Sequence, residues 1–168
     1  MRLTIRRMAK PDAQAVSDLV SGCYRFLAGH EGYARAQFDS LLRERCSAGC
    51  IQAWLQRYDC FVACSTGAVL GVVAVRGNEI EELFVRPQNH REGVGTRLFT
   101  RAERIIRNGG HRKVVVATSG YGVPFYQRMG AHISGAVRCR FGPLKGRVLV
   151  VLEKPLGILI SAASRPED

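Results

Sequence analysis

Between Asp59 and Pro87 the chain carries three apolar, β-branched segments, DCFVACS, AVLGVVAV and IEELFVRP, separated by TG and by Arg76 with the turn-like GNE. The first two read as a hairpin of buried strands, and the turn after them sends the chain into a third strand. This block of strands constrains the fold more than any other feature. It demands a sheet, and the segments on either side then have to cover it.

On the N-terminal side, LTIRRM alternates like a short strand, and KPDAQAVSDLVSGCYRFL follows with Pro11 near a helix start. Ala15, Val16, Leu19 and Val20 form its apolar stripe. A glycine-containing loop is expected at AGHEGY, then a helix from Ala34 to about Arg45. Ile51, Trp54, Leu55 and Tyr58 fall at i, i+3, i+4 and i+7, which predicts a third helix with Trp54 as a core anchor. On the C-terminal side a helix from Gly93 to Arg107 should bury Val94, Leu98, Ala102 and Ile105, with Arg97, Arg101 and Arg104 opposite. KVVVATS is a β-branched strand, and YGVPFYQRM is a short helix whose start Pro124 restricts. AHISGAVRCR and RVLVVLEK are two further strands joined by FGPLKG.

The resulting order is β, α, α, α, β, β, β, α, β, α, β, β. It fits neither strict βαβ alternation nor a helix bundle. The fold class expected is α/β of the α+β type: one mixed central sheet of six to seven strands flanked by helices. At 168 residues without repeats or linker-like composition, a single domain over 1–168 is expected.

The N-terminus lacks the apolar core of a secretory signal, and uninterrupted apolar stretches reach only about eight residues, far below a membrane span. A cytoplasmic protein is the expectation. Six cysteines, with Cys46/Cys50 and Cys60/Cys64 at i,i+4 spacing, lack the pattern of a zinc site and read as buried free thiols; no metal is expected.

Where the third strand ends, FVRPQNHREGVGTRL passes through a polar loop into a helix, with Gly93-Val94-Gly95 at the junction. Glycine there contributes no packing and costs backbone entropy, which points to an anion held by the amides of a helix N-terminus. Charge agrees. Of the net +11, the span Arg86–Lys113 holds eight basic residues against Glu92 and Glu103, a local +6. A Rossmann loop is excluded because Leu98 stands at its third glycine, and no Walker string occurs.

The residues Val85, Pro87, Gly93 and Gly95 resemble the acetyl-CoA-binding signature of the GNAT superfamily of acyl-CoA-dependent N-acyltransferases. In ATSGYGVPFYQRMGA, Phe125, Tyr126 and Gly130 resemble its second motif, one helix and one strand downstream. The resemblance covers nearly the whole chain. One position departs: His90 stands where the family has Arg or Gln, and arginine follows at Arg91.

The resemblance implies acetyl transfer from acetyl-CoA to a primary amine by direct attack in a ternary complex. It assigns the pyrophosphate to the loop His90, Arg91, Glu92, Gly93, Val94, Gly95 and Thr96, and the pantetheine arm to the backbone of Leu83, Phe84 and Val85. It makes the Val85 N–H the donor to the developing oxyanion and Tyr126 the general acid. Base candidates are Glu79, Glu81 and Glu82. Strand alternation puts Glu79 and Glu81 on one face and Glu82 on the other, and the family position matches Glu79 or Glu81. The acceptor wall falls on FLAGHEGYARAQF, with His30, Glu31, Tyr33 and Trp54 as candidates. The acceptor itself is open between a small molecule and a protein or peptide. The basic charge also admits aminoacyl-tRNA as partner, and a homodimer or a non-catalytic acyl-CoA sensor are further readings.

Overall fold

Thr66-Gly67 and Gly77-Asn78 each reverse the chain within two residues. Positive φ at Thr66 (+47°), Gly67 (+83°) and Gly77 (+59°) supplies the backbone that such tight hairpin turns need. The three strands they connect, β2 (Asp59–Ser65), β3 (Ala68–Arg76) and β4 (Glu79–Val85), therefore pair antiparallel. In this computed structural model, which describes residues 2–157, β1 (Thr4–Arg7) pairs antiparallel with β2. On the other side come β5 (Lys113–Thr118), β6 (His132–Arg138) and β7 (Val148–Pro155). The seven-stranded sheet has the order β1-β2-β3-β4-β5-β7-β6. The single-domain expectation extends over residues 158–168, which lie outside the described residues.

β3 is buried on both faces, which is why its sequence is an unbroken apolar run rather than an alternating one. Val72 and Ala74 face a core built with α1 (Ala13–Glu31), α2 (Arg35–Arg45) and α3 (Ala48–Trp54). Val73 and Val75 face a second core with α4 (Val94–Asn108) and α5 (Val123–Arg128). Leu98 and Phe99 of α4 are sealed at 0% and 1% exposure, each burial stabilising by about 2–3 kcal/mol.

Three local expectations are corrected. The AGHEGY segment is mostly helical, because α1 continues to Glu31 and stops only where Gly32 takes a left-handed φ of +61°. On α4 the core residue is Ile106, fully buried, while Ile105 is half-buried at the margin. Arg101 does not stand free on the outer face; its guanidinium lies 4.4 Å from the Phe61 ring centre. Trp54 is buried against α1, as a core anchor should be. Cys23, Cys46 and Cys60 are buried free thiols, whereas Cys50, Cys64 and Cys139 are only half-buried.

Two irregularities in β4 position the site. Glu82 pairs with Ala74 and Ile80 with Val75, so Glu81 is an extra residue bulged out of the ladder. Moreover, β5 runs beside β4 only at Glu79↔Val115 and Ile80↔Val116, then pairs with β7 alone. From Glu81 to Val85 one edge of β4 has no strand beside it. The Arg86 N–H bonds Leu70 O on the β3 side, so by alternation the backbone groups of Leu83 and Val85 point into this opening.

Candidate active site

The open edge of β4 leads directly to the glycine loop. Arg86 Nε donates to Val69 O at 2.7 Å and pins the strand end; Pro87–Asn89 then makes one 3₁₀ turn. Arg91 (φ +65°) and Gly93 (φ +79°) reverse the backbone into α4. The first helical bond is Arg97 N to Gly93 O, so the amides of Gly93, Val94, Gly95 and Thr96 have no acceptor among the described residues. A Cβ on Gly93 would meet nothing within 4 Å, so that side of the loop is clear for a ligand. These four N–H groups sit at the positive end of the helix dipole, which suits a diphosphate.

Gly95 also answers a packing demand. A Cβ there would lie 3.1 Å from Phe125 Cε2 and 3.6 Å from Val85 Cγ2. Its missing side chain lets α5 close onto the first turn of α4. His90 is engaged by the strand end and by α1. Its Nε2 lies 3.1 Å from Val85 O, and its ring meets Phe26 edge-on at 5.4 Å. Cys23 Sγ donates to the same carbonyl at 3.2 Å, and burial pushes this thiol up to about 12. Glu92 faces outward and accepts from Asn89 Nδ2 at 2.9 Å.

The bulge rearranges the three carboxylates. Glu79 is exposed at the strand start, and Glu81 pairs with Arg76. Glu82 is the enclosed one: its side chain is 10% exposed and accepts from Arg45 Nη2 at 2.7 Å. Burial pushes its carboxyl up to about 7. Arg45 opposes that shift and the negative charge of Glu81 adds to it. Strict alternation assigned the two glutamates to opposite faces; the extra residue in the ladder removes that alternation. Nothing in the local sequence marks this bulge.

Tyr126, on α5, is 6% exposed and packs edge-on to Phe125 at 5.0 Å. Burial and the charge of Glu82 both raise its hydroxyl above the ordinary tyrosine range, so it stays protonated at neutral pH. The fold thus brings together a buried carboxylate poised near neutrality, a protonated phenol, an open strand edge and a free helix N-terminus.

The family model for an acetyltransferase (GNAT) domain matches residues 28–142, more than half of the chain. The chain belongs to the GNAT acetyltransferase family. No curated protein sequence matches it. The GNAT fold is evident in solved structures of low sequence identity. A GCN5-related N-acetyltransferase from Rhodopseudomonas palustris is similar at TM-score 0.82 and 18% identity, over 93% of this chain and 97% of that one. PaiA N-acetyltransferase from Thermoplasma acidophilum, solved with coenzyme A, gives TM-score 0.73 at 16% identity, over 92% and 99%. YncA, a putative acetyltransferase from Salmonella typhimurium solved with acetyl-CoA, gives TM-score 0.68 at 17% identity, over 99% of each chain.

The end of α1, in contact with the glycine loop through Phe26 and His90, forms the wall expected to face the acceptor. Glu31 Oε1 accepts from Tyr121 N at 2.8 Å, just before α5. Its main-chain oxygen and Oε2 accept from Arg147 Nη2 at 2.9 and 3.2 Å, and the Arg147 guanidinium lies 4.2 Å from the Tyr33 ring centre. Glu31 and Tyr33 therefore tie three chain segments together. His30 packs on Phe26 at 4.3 Å and on Tyr121 at 5.2 Å, while Trp54 belongs to the core. A cavity of about 350 Å³ opens between α1 and α2, lined by Ala28, Tyr33, Arg35, Phe38 and Asp39. Among the described residues no group of three or more His, Cys, Asp or Glu gathers as metal ligands, and no helix is long and apolar enough to cross a membrane.

Proposed function

We propose that this GNAT enzyme transfers the acetyl group of acetyl-CoA to a primary amine, of a small molecule or of a protein or peptide, by direct attack in a ternary complex. The observation that carries the reading is the continuous path along β4. Its unpaired edge runs from beside Glu82, past the inward-facing backbone of Leu83 and Val85, to the free amides of Gly93–Thr96. The relatives solved with coenzyme A and with acetyl-CoA support the choice of co-substrate.

In this reading the diphosphate rests on the amides of Gly93, Val94, Gly95 and Thr96, with Arg91 and Glu92 shaping the approach. The pantetheine amides add to the edge of β4 through Leu83, Phe84 and Val85 as a further strand would. His90 and Cys23 act indirectly, holding the Val85 carbonyl so that the Val85 N–H is aimed at the thioester oxygen. A donor so placed is worth about 3 kcal/mol as negative charge develops there.

Only a neutral amine attacks, so a base has to remove a proton from the ammonium. Glu82 is the best-suited carboxylate of the three: with its carboxyl pushed up to about 7, it is substantially ionised at neutral pH yet basic enough to accept the proton. Glu79 is exposed and Glu81 is engaged by Arg76. The amine nitrogen bonds to the acetyl carbon, the C–S bond breaks, and Tyr126 passes its proton to the departing thiolate.

The test is release of coenzyme A thiol from acetyl-CoA against a panel of amines, polyamines, amino acids, antibiotics and peptides. Turnover with at least one acceptor and a rise in melting temperature with acetyl-CoA are expected. Absence of both at saturating acetyl-CoA refutes the reading.

A further inference from the structure

The β6–β7 connection is a basic and exposed turn. Over Arg138–Arg147, RCRFGPLKGR holds four cations and no carboxylate. The turn is nonetheless well built. Cys139 N bonds Arg147 O and Gly146 N bonds Cys139 O, each at 2.8 Å, while Lys145 N bonds Gly142 O at 3.0 Å. Gly142 (φ +70°) and Gly146 (φ +88°) provide the left-handed backbone that the turn requires.

The side chains of this turn divide by direction. Leu144 packs inward against the α1–α2 core, and Arg147 is committed to Glu31 and the Tyr33 ring. Arg138 donates to Gly146 O at 2.9 Å. Arg140 and Lys145 are exposed and have no carboxylate partner among the described residues. Between them in sequence, Phe141 stands 86% exposed. An aromatic ring held in water costs free energy, and no packing within the described chain offsets it.

A bare aromatic face beside unpaired cations is the combination that binds an unstacked base and its flanking phosphates. We propose that the β6–β7 turn is a docking surface for a single-stranded nucleic acid, with a base on Phe141 and phosphates on Arg140, Lys145 and Arg138. A second copy of the chain is a poor occupant, since it would bring these cations against their own equivalents on a protein of net charge +11. Val137 and Val148, on the strands flanking the turn, are also exposed, so an anionic lipid surface is the competing occupant, and vesicles are an arm of the test. The position gives the surface a purpose. Through Arg147 and Glu31 the turn is tied to Tyr121 beside α5, so on the acetyl-transfer reading a docked strand would present an amine it carries to the acceptor side. The docking itself does not depend on that reading.

The test is fluorescence anisotropy of the full chain with a labelled single-stranded oligoribonucleotide of about 12 nucleotides, within the usual span of one such site. Binding is expected to weaken on the order of ten-fold between about 50 and 200 mM salt, as about three phosphate contacts require. Phe141→Ala is expected to weaken it about ten-fold, and Arg140→Glu with Lys145→Glu to abolish it. These residues are exposed, so each variant should keep the wild-type melting temperature and its acetyl-CoA-induced shift. Three results would overturn the proposal: no binding by the wild type, equal binding by wild type and both variants, or binding to anionic phosphatidylserine vesicles without binding to the oligonucleotide. None of these readouts uses acetyl transfer, so its failure and this one are separable.

Discussion

The carboxylate of Glu82 on β4 and the guanidinium of Arg45 at the end of α2 meet at 2.7 Å, linking the strand to the helix. Arg45 is 39% exposed on its side chain while Glu82 is 10% exposed, so the pair lies at the boundary between core and solvent. The cation moderates a carboxyl that burial alone would drive higher.

With Glu82 as base, kcat/KM rises with pH through about 7 as the carboxylate forms. Glu82→Gln should lower kcat by about 100-fold or more and remove this limb. Arg45→Met removes the group that lowers the Glu82 value, so the limb should move to higher pH. A pH–rate profile of the three proteins checks all of this; an unshifted limb in Arg45→Met would show that the limb belongs to another group.

The same carboxyl carries a stability signature. Folding raises it from the usual 4.5 to about 7, so between those values the native state holds a proton the unfolded chain releases. Its contribution to stability therefore falls as pH rises through that window. Urea unfolding of wild type and Glu82→Gln across it should show the variant gaining relative stability with pH.

Tyr126→Phe deletes a hydroxyl that has no hydrogen-bond partner among the described residues and retains the ring packed on Phe125. Melting temperature and acetyl-CoA affinity should be nearly unchanged, while kcat falls by roughly 100-fold, the usual scale for losing a general acid. A proportional loss of melting temperature and rate would mark the tyrosine as structural.

Gly95 and Phe125 should behave as a coupled pair. Gly95→Ala forces the ring back by a few tenths of an ångström and should cost about 1–2 kcal/mol, within the overpacking range. Phe125→Leu should relieve part of that cost in the double variant, a coupling that a double-mutant cycle of denaturation midpoints measures. Gly93→Ala meets no neighbour but strains a φ of +79°, and Phe125→Leu should not relieve it.

His90 and Cys23 converge on one carbonyl at 3.1 and 3.2 Å. Removing either donor leaves the other on Val85 O, at about 1 kcal/mol each. His90→Ala with Cys23→Ala should cost more than the sum, in stability and in acetyl-CoA affinity, because the part-buried oxygen is then unpaired. Calorimetric titration of the four proteins decides it; strict additivity would show that the two contacts are independent.

Much of this architecture was legible in the order of residues. Short turns between apolar segments force antiparallel neighbours, the arginine-flanked stripe of α4 forces a covered sheet, and Gly93 at a strand–helix junction advertises free amides. These are local properties, set by backbone sterics and periodicity over a few residues. The strand–turn–helix that carries Gly93 and the short helix that carries Tyr126 were therefore recognisable without coordinates. What tertiary structure alone decided depends on contacts between distant segments. The bulge opposite Ala74 brings Glu82 into an enclosed place and hands it to Arg45, 37 residues away. Phe125 claims the space at Gly95, and Val85 O engages the ring of His90. Burial and Coulomb interactions act across space rather than along the chain, so the sequence offered the candidate groups, and the packing assigned their charges, partners and directions.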